Sequence, residues 1–219
     1  MYVTKLLTFL FVFFVYISKY ILILFYYFFG MKDIFLFWIQ GCGKGTQAKL
    51  LLKHFEWKFD YFEIGQVFRA NMSNDNIIWN FCKDIVNWGG LVPPFVSFGW
   101  YEIALQIVEW KDTALMTDWF PRSMEQAKFM ESMMAKYDRD FVGVHYELSR
   151  EKAIERIMSR AQKEWRADDN EESIKVRLAA FENETLPVIN YFKEKGKVIT
   201  IDADNQIDDI FNETVKLLD

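Results

Sequence analysis

The sequence predicts an α/β fold, a five-stranded parallel sheet flanked by helices, on three observations. From Met31 onward, short apolar runs alternate with longer amphipathic ones, the order that a parallel sheet wrapped by helices imposes. The first apolar run, "DIFLF" (33 to 37), turns through the glycines of "GCGKGTQ" into "KGTQAKLLLKHF", where Ala48, Leu51, Leu52 and Phe55 recur at helical spacing. The chain of 219 residues with 52% hydrophobic content is long enough for one such domain with a large core and a small insertion, and cramped for two.

Residues 1 to 30 are a different material, almost wholly apolar and aromatic. The run is long enough to cross a bilayer, which takes about 20 apolar residues, with Lys19 able to snorkel near an end. No small-residue cleavage site follows, which argues against a secretory signal peptide. Two readings stand: a membrane anchor, or upstream sequence translated from the wrong start, the protein then beginning at Met31. Further strands are expected at "DYFEI" (60 to 64), "TALMT" (113 to 117), "FVGVHYEL" (141 to 148) and "KVITI" (197 to 201), with helices between them and one long polar helix from about Glu171 to Lys195.

Composition narrows the function. A formal net charge of -5 argues against a protein that works by neutralising nucleic-acid phosphates. Two cysteines, Cys42 and Cys82, are too few for a disulfide framework or a four-cysteine zinc site and fit a reducing compartment. His54 and His145 fall in no motif and read as structural.

The chemistry sits at the strand ends. A strand that turns through Gly41, Gly43 and Gly45 into a helix opening with Lys44 and Thr46 aims backbone N–H groups at one spot, where the helix dipole also favours an anion. Glycines also serve turns for tightness alone, but this spacing between strand and helix is specific to phosphate loops. Asp118 follows the strand at 113 to 117 and is a candidate to hold Mg²⁺ through water, or equally a turn or cap aspartate. Arg156 and Arg160 are one helical turn apart, with Arg166 and Arg177 beyond. Together they suit several phosphates; surface pairing with Glu155, Asp168, Asp169 and Glu172 is the plainer alternative.

"GCGKGTQ", "GQVFR" (65 to 69), "GGLVPP" (89 to 94), "DWFPRSMEQA" (118 to 127) and "RADDNEESIKVRL" (166 to 178) stand in the order and approximate spacing of adenylate kinases, and of nucleoside monophosphate kinases more widely. The resemblance covers essentially all of residues 31 to 219. It implies a P-loop nucleotide kinase with a small helical monophosphate-binding part at about 65 to 95 and a short lid at about 160 to 167, a loop without zinc. The implied reaction is transfer of the terminal phosphoryl group of Mg-ATP to AMP, giving two ADP. By similarity, Gly41, Cys42, Gly43, Lys44, Gly45 and Thr46 cradle the ATP phosphates, and Arg69 and Arg122 hold the AMP phosphate. Gly90, Leu91, Val92 and Gln126 face the AMP base, with Ile64, Trp119 and Phe120 lining the same site. Arg156, Arg160, Arg166 and Arg177 surround the phosphates in the closed state. A cytoplasmic monomer is expected, with AMP and ATP as its small-molecule partners, no nucleic acid, and a membrane only if the leader is real.

Several letters depart from the family. Ile64 stands where an adenine-contacting threonine is usual, Gln66 replaces an aspartate and Pro94 another acidic residue, which leaves a UMP/CMP kinase as an alternative, although Gln126 resembles the adenylate type. Trp38, Trp119 and Trp165 occupy family glycine positions, where a backbone with φ > 0 or a close ligand is expected. Trp88 and Trp110 also lie in turn-like contexts. Ten glycines against eight tryptophans suggest a gene in which UGA encodes glycine and was read as tryptophan. If the tryptophans are genuine, a catalytically dead nucleotide-binding relative is the alternative.

Overall fold

The computed structural model describes residues 32–63, 65, 75–87, 91–118, 120–164 and 171–218. Its strands are β1 (Asp33–Trp38), β2 (Phe59–Phe62), β3 (Ala114–Thr117), β4 (Phe141–Glu147) and β5 (Val198–Asp202). They form one sheet in the order β2-β3-β1-β4-β5, every neighbouring pair parallel. All five coincide with the expected apolar runs to within a residue or two, because strands covered on both faces must be apolar nearly throughout.

The helices described are α1 (Lys44–Phe55), α2 (Ile77–Asn87), α3 (Pro94–Lys111), α4 (Met124–Lys136), α5 (Arg150–Glu164), α6 (Glu171–Ala180), α7 (Leu186–Glu194) and α8 (Ile207–Leu218). Alternation along β1 divides the core. Phe35 and Phe37 pack with Tyr101, Leu105, Met130 and Phe192 on one face, while Ile34, Leu36 and Trp38 pack with Leu51, Tyr146 and Ile157 on the other. None of the helices among the described residues is long and apolar enough to cross a membrane; residues 1 to 30 lie outside the described set.

Three local expectations are corrected. The polar stretch from Glu171 is not one regular helix: a π-turn, Phe181–Thr185, separates α6 from α7, and the Leu186 N–H reaches back five residues to the Phe181 carbonyl. Pro187 follows and has no N–H of its own to continue an α ladder. The segment at 161 continues as helix to Glu164 before the chain leaves the described residues. Trp110 is not in a turn; it lies exposed on α3, and the left-handed residue that ends this helix is Asp112, φ 54°.

At the amino end of β1, opposite the loops described below, Asp33 is fully buried. It accepts the Leu115 N–H at 2.8 Å and two Arg139 donors at 2.6 and 3.0 Å. Arg139 also donates to the Thr113 carbonyl at 3.1 Å and pairs with Glu109. The cluster ties β1, β3, α3 and the start of β4 together. Arg139→Met leaves the carboxylate buried without its cation, so unfolding free energy should fall by about 3–5 kcal/mol, read from urea denaturation.

His145 is buried on β4. Burial, and secondarily the Lys193 charge, pull its pKa down to about 4. An unfolded histidine takes its proton near pH 6.5, so between those values the unfolded state binds more protons and is favoured as pH falls. Stability should therefore drop on acidification from about 6.5 toward 4, by on the order of 3 kcal/mol from this group. Denaturation curves across that range should lose this part of the slope in His145→Gln.

Candidate functional site

The loop between β1 and α1 depends on two glycines in the left-handed region, Gly41 at φ 91° and Gly43 at φ 92°. A Cβ on Gly41 would stand 2.6 Å from the Ala153 carbonyl oxygen, so the position excludes a side chain on two independent grounds. Gly43 caps α1, and its carbonyl accepts the Thr46 and Gln47 N–H groups at 3.0 and 3.3 Å. No acidic side chain sits in the first turn of α1, which leaves the positive end of its dipole available to an anion. Cys42 is buried in the core, so this loop position presents backbone and not thiol. Gln47, also buried, donates from Nε2 to the Ile207 carbonyl at 2.9 Å and anchors α1 to the start of α8.

Trp38 precedes this loop, and its placement corrects the glycine argument at that position. It is the last residue of β1, paired in register with Tyr146, and no positive φ is recorded for it. Its indole is buried and stacked on the Tyr146 ring, centroids 5.5 Å apart and planes 25° apart. The side chain points into the sheet face instead of the loop, so the close approach belongs to Gly41.

β3 lies beside β1, and Asp118 follows it immediately, buried, accepting the Tyr61 hydroxyl at 2.8 Å. Tyr61 comes from β2, and the Thr117 hydroxyl donates to the Phe62 carbonyl at 2.9 Å, so the ends of β2 and β3 are locked together. Arg122 is half-buried close by. Burial draws its guanidinium below the ordinary arginine value; Asp118 and Glu63 oppose that shift, and Arg177 adds to it. Arg177, on α6, reaches the phosphate loop and donates to Gln40 Oε1 at 3.3 Å. The Thr185 hydroxyl of the π-turn donates to the Arg122 carbonyl at 3.2 Å. The carboxyl ends of β1, β2 and β3 and the α6 region thus bring the phosphate loop, Asp118, Arg122 and Arg177 to one place, where the strand order switches direction.

Other expected residues are placed differently. Arg156 turns to the loop after β5, donating to the Ala203 carbonyl at 3.0 Å and lying 3.5 Å from Asp204. Phe120 is buried and stacked on Tyr101 at 4.4 Å; its side chain is committed to the core, leaving only backbone to face a ligand. Leu91, Val92 and Gln126 line one pocket of about 470 Å³ together with Glu125 and Asn183. Ile64, Arg69, Gly90, Trp119, Trp165 and Arg166 lie outside the described residues, as do the side chains of Lys44 and Arg160. Among the described residues no group of three or more His, Cys, Asp or Glu side chains is arranged to hold a metal. The Asp118 carboxylate, an oxygen donor, suits a cation that keeps most of its water, as Mg²⁺ does.

Tyr61, Gln40, Thr185 and Ser97 were missed in the sequence. Each acts through a hydrogen bond to a motif residue far away in the chain, which leaves no local pattern in the sequence.

A family model described as adenylate kinase matches residues 37–197. An adenylate kinase of Corynebacterium urealyticum is 34% identical over 180 residues, covering 82% of this chain and 94% of that protein. One of Parabacteroides distasonis is 30% identical over 184 residues, 83% of this chain and 94% of that protein, and one of Leptospira biflexa is 32% identical over 189 residues, 85% and 99%. With its fold, its phosphate loop and these relatives in agreement, the chain belongs to the adenylate kinase family.

Proposed function

We propose that the chain moves the terminal phosphoryl group of Mg-ATP to AMP, giving two ADP. The observation that carries this reading is the convergence of the Gly41–Gly43 turn, Asp118, Arg122 and Arg177 at adjacent strand ends. An AMP phosphate oxygen attacks the γ-phosphorus in line while the bond to the β-bridging oxygen breaks, and ADP leaves. The attacking oxygen is already anionic, so no base is required, and the protein's work is positioning and charge stabilisation.

In this reading Gly41, Cys42, Gly43, Gly45 and Thr46 present backbone N–H groups to the ATP phosphates, and Lys44 reaches the outer ones. Arg122, with Arg69, holds the AMP phosphate; Arg177, beside Arg122 and the loop, spans donor and acceptor, with Arg160 and Arg166 completing the shell. Gly90, Leu91, Val92 and Gln126 hold the base, near Ile64, Trp119 and the Phe120 backbone. Arg156, tied to the loop after β5, belongs to the ATP side and serves as a wall of that site. Asp118, its carboxylate held by the Tyr61 hydroxyl, would orient the water of a bound Mg²⁺, which would offset phosphate charge. Cys42 and Cys82 are buried and not joined in a disulfide, which suits the cytoplasm.

The test is ADP formation from Mg-ATP by the full chain as written, with AMP, UMP and CMP as acceptors. AMP should be strongly preferred; a folded chain that makes no ADP, or one that prefers UMP, overturns the reading. Tyr61→Phe keeps the ring and removes the donor to Asp118. It should raise the Mg²⁺ concentration needed for half-maximal rate about tenfold, with the melting temperature little changed.

A further inference from the structure

Gln126 is buried at the N-terminal turn of α4, and both ends of its amide are engaged within the protein. Its Oε1 accepts the Arg122 N–H at 2.7 Å, and its Nε2 donates to the Ser97 hydroxyl at 3.0 Å. Ser97 is itself fully buried on α3, and its hydroxyl proton is already given to the Pro94 carbonyl at 2.8 Å. With the proton spent, Ser97 offers Gln126 only lone pairs, and only the NH₂ end of an amide can satisfy them. Arg122, from the other side, offers only a proton, which only the carbonyl end can accept. The two partners therefore demand the same one of the two amide orientations.

We infer that Ser97 is a positioning residue that fixes the orientation of the Gln126 amide and so makes the monophosphate site selective for a 6-aminopurine over a 6-oxopurine. This rests on the proposed function, in which Gln126 faces the acceptor base. An amide with one proton and one lone pair left presents a donor beside an acceptor. Adenine offers an acceptor at N1 and a donor at N6; hypoxanthine and guanine offer a donor at N1 and an acceptor at O6. A half-turn of the amide exchanges one match for the other, at no cost in size or shape. An amide free to turn would read both edges, whereas one held by the Arg122 N–H and Ser97 together reads the first, and Ser97 supplies one of those two restraints. The position of Ser97 gives it no contact of its own to make with the base: it is buried on α3 behind Gln126, and it acts through the glutamine.

The experiment compares AMP with inosine monophosphate, which reverses the pattern without adding a 2-amino group, as acceptors and as equilibrium ligands of the full chain by calorimetry. In Ser97→Ala the AMP preference should shrink roughly three- to tenfold, the worth of one buried neutral hydrogen bond. The change should lie in KM and Kd for the monophosphate, with KM for ATP unchanged. Ser97→Thr, which keeps the hydroxyl, should retain the wild-type ratio. Ser97→Cys, a near match in size with a weak acceptor, should follow alanine and serves if the alanine variant folds poorly. An unchanged ratio in Ser97→Ala and Ser97→Cys, with Gln126→Ala raising KM for AMP, overturns the inference and leaves the proposed function standing. If Gln126→Ala leaves KM for AMP unchanged, the base-facing role of Gln126 falls and the inference falls with it.

Discussion

The close approach of the Gly41 backbone to the Ala153 carbonyl is the constraint on which the functional half of the molecule depends. It brings the turn after β1 against the start of α5, and the left-handed turn at Gly43 then sets the direction in which α1 departs. From that direction follow the anchoring of Gln47 to the Ile207 carbonyl and the position of Gln40 under Arg177. A loop with a side chain at 41 would have to lift away from α5, and the helix N-terminus, the arginine and the loop after β5 would no longer share one face. The anion-binding character of the site is in this sense a packing result before it is an electrostatic one.

How much of this was legible depends on what kind of pattern each feature leaves. The five strands could be read because a parallel sheet buried on both faces writes itself as apolar runs, and "DIFLF" and "FVGVHYEL" could be little else. Gly41 and Gly43 could be read because left-handed turns admit few residue types. The break at Phe181–Thr185 was not legible, since a π-turn differs from an α-helix by one residue of spacing and its side chains remain those of a polar helix. Nor was the direction of Arg156: spacing placed it on a helix face with Arg160, but the acidic Asp204 that draws it aside lies 48 positions further along the chain. Tyr61 and Ser97 were hidden for the same reason, as each matters through a single long-range bond.

Trp38 illustrates how a family rule can fail at one member without failing the fold. The rule that a glycine opens the loop merges two requirements, a small residue at the strand end and a positive φ within the turn. Here the second is met at Gly41, three residues on. The first is met differently, by an indole lying flat on Tyr146 and facing the helices beneath the sheet. The Tyr146 hydroxyl in turn donates to Thr214 at 3.2 Å, whose own proton is given to the Ile210 carbonyl at 2.7 Å, so the stack is braced from α8. Trp119 and Trp165 lie outside the described residues, so the correction holds for Trp38 alone.

The π-turn before α7 has a consequence for how this segment can change length. One residue is about 100° of helix, so the inserted residue decides which side of α7 carries Val188, Ile189 and Phe192, all fully buried. It also carries Thr185 round to the Arg122 carbonyl. Loss of a single residue here would rotate the apolar side of α7 away from the sheet and withdraw the threonine in the same stroke. The segment can therefore drift in sequence but not in length, and a deletion that looks neutral in a polar helix would disturb the core and the arginine together.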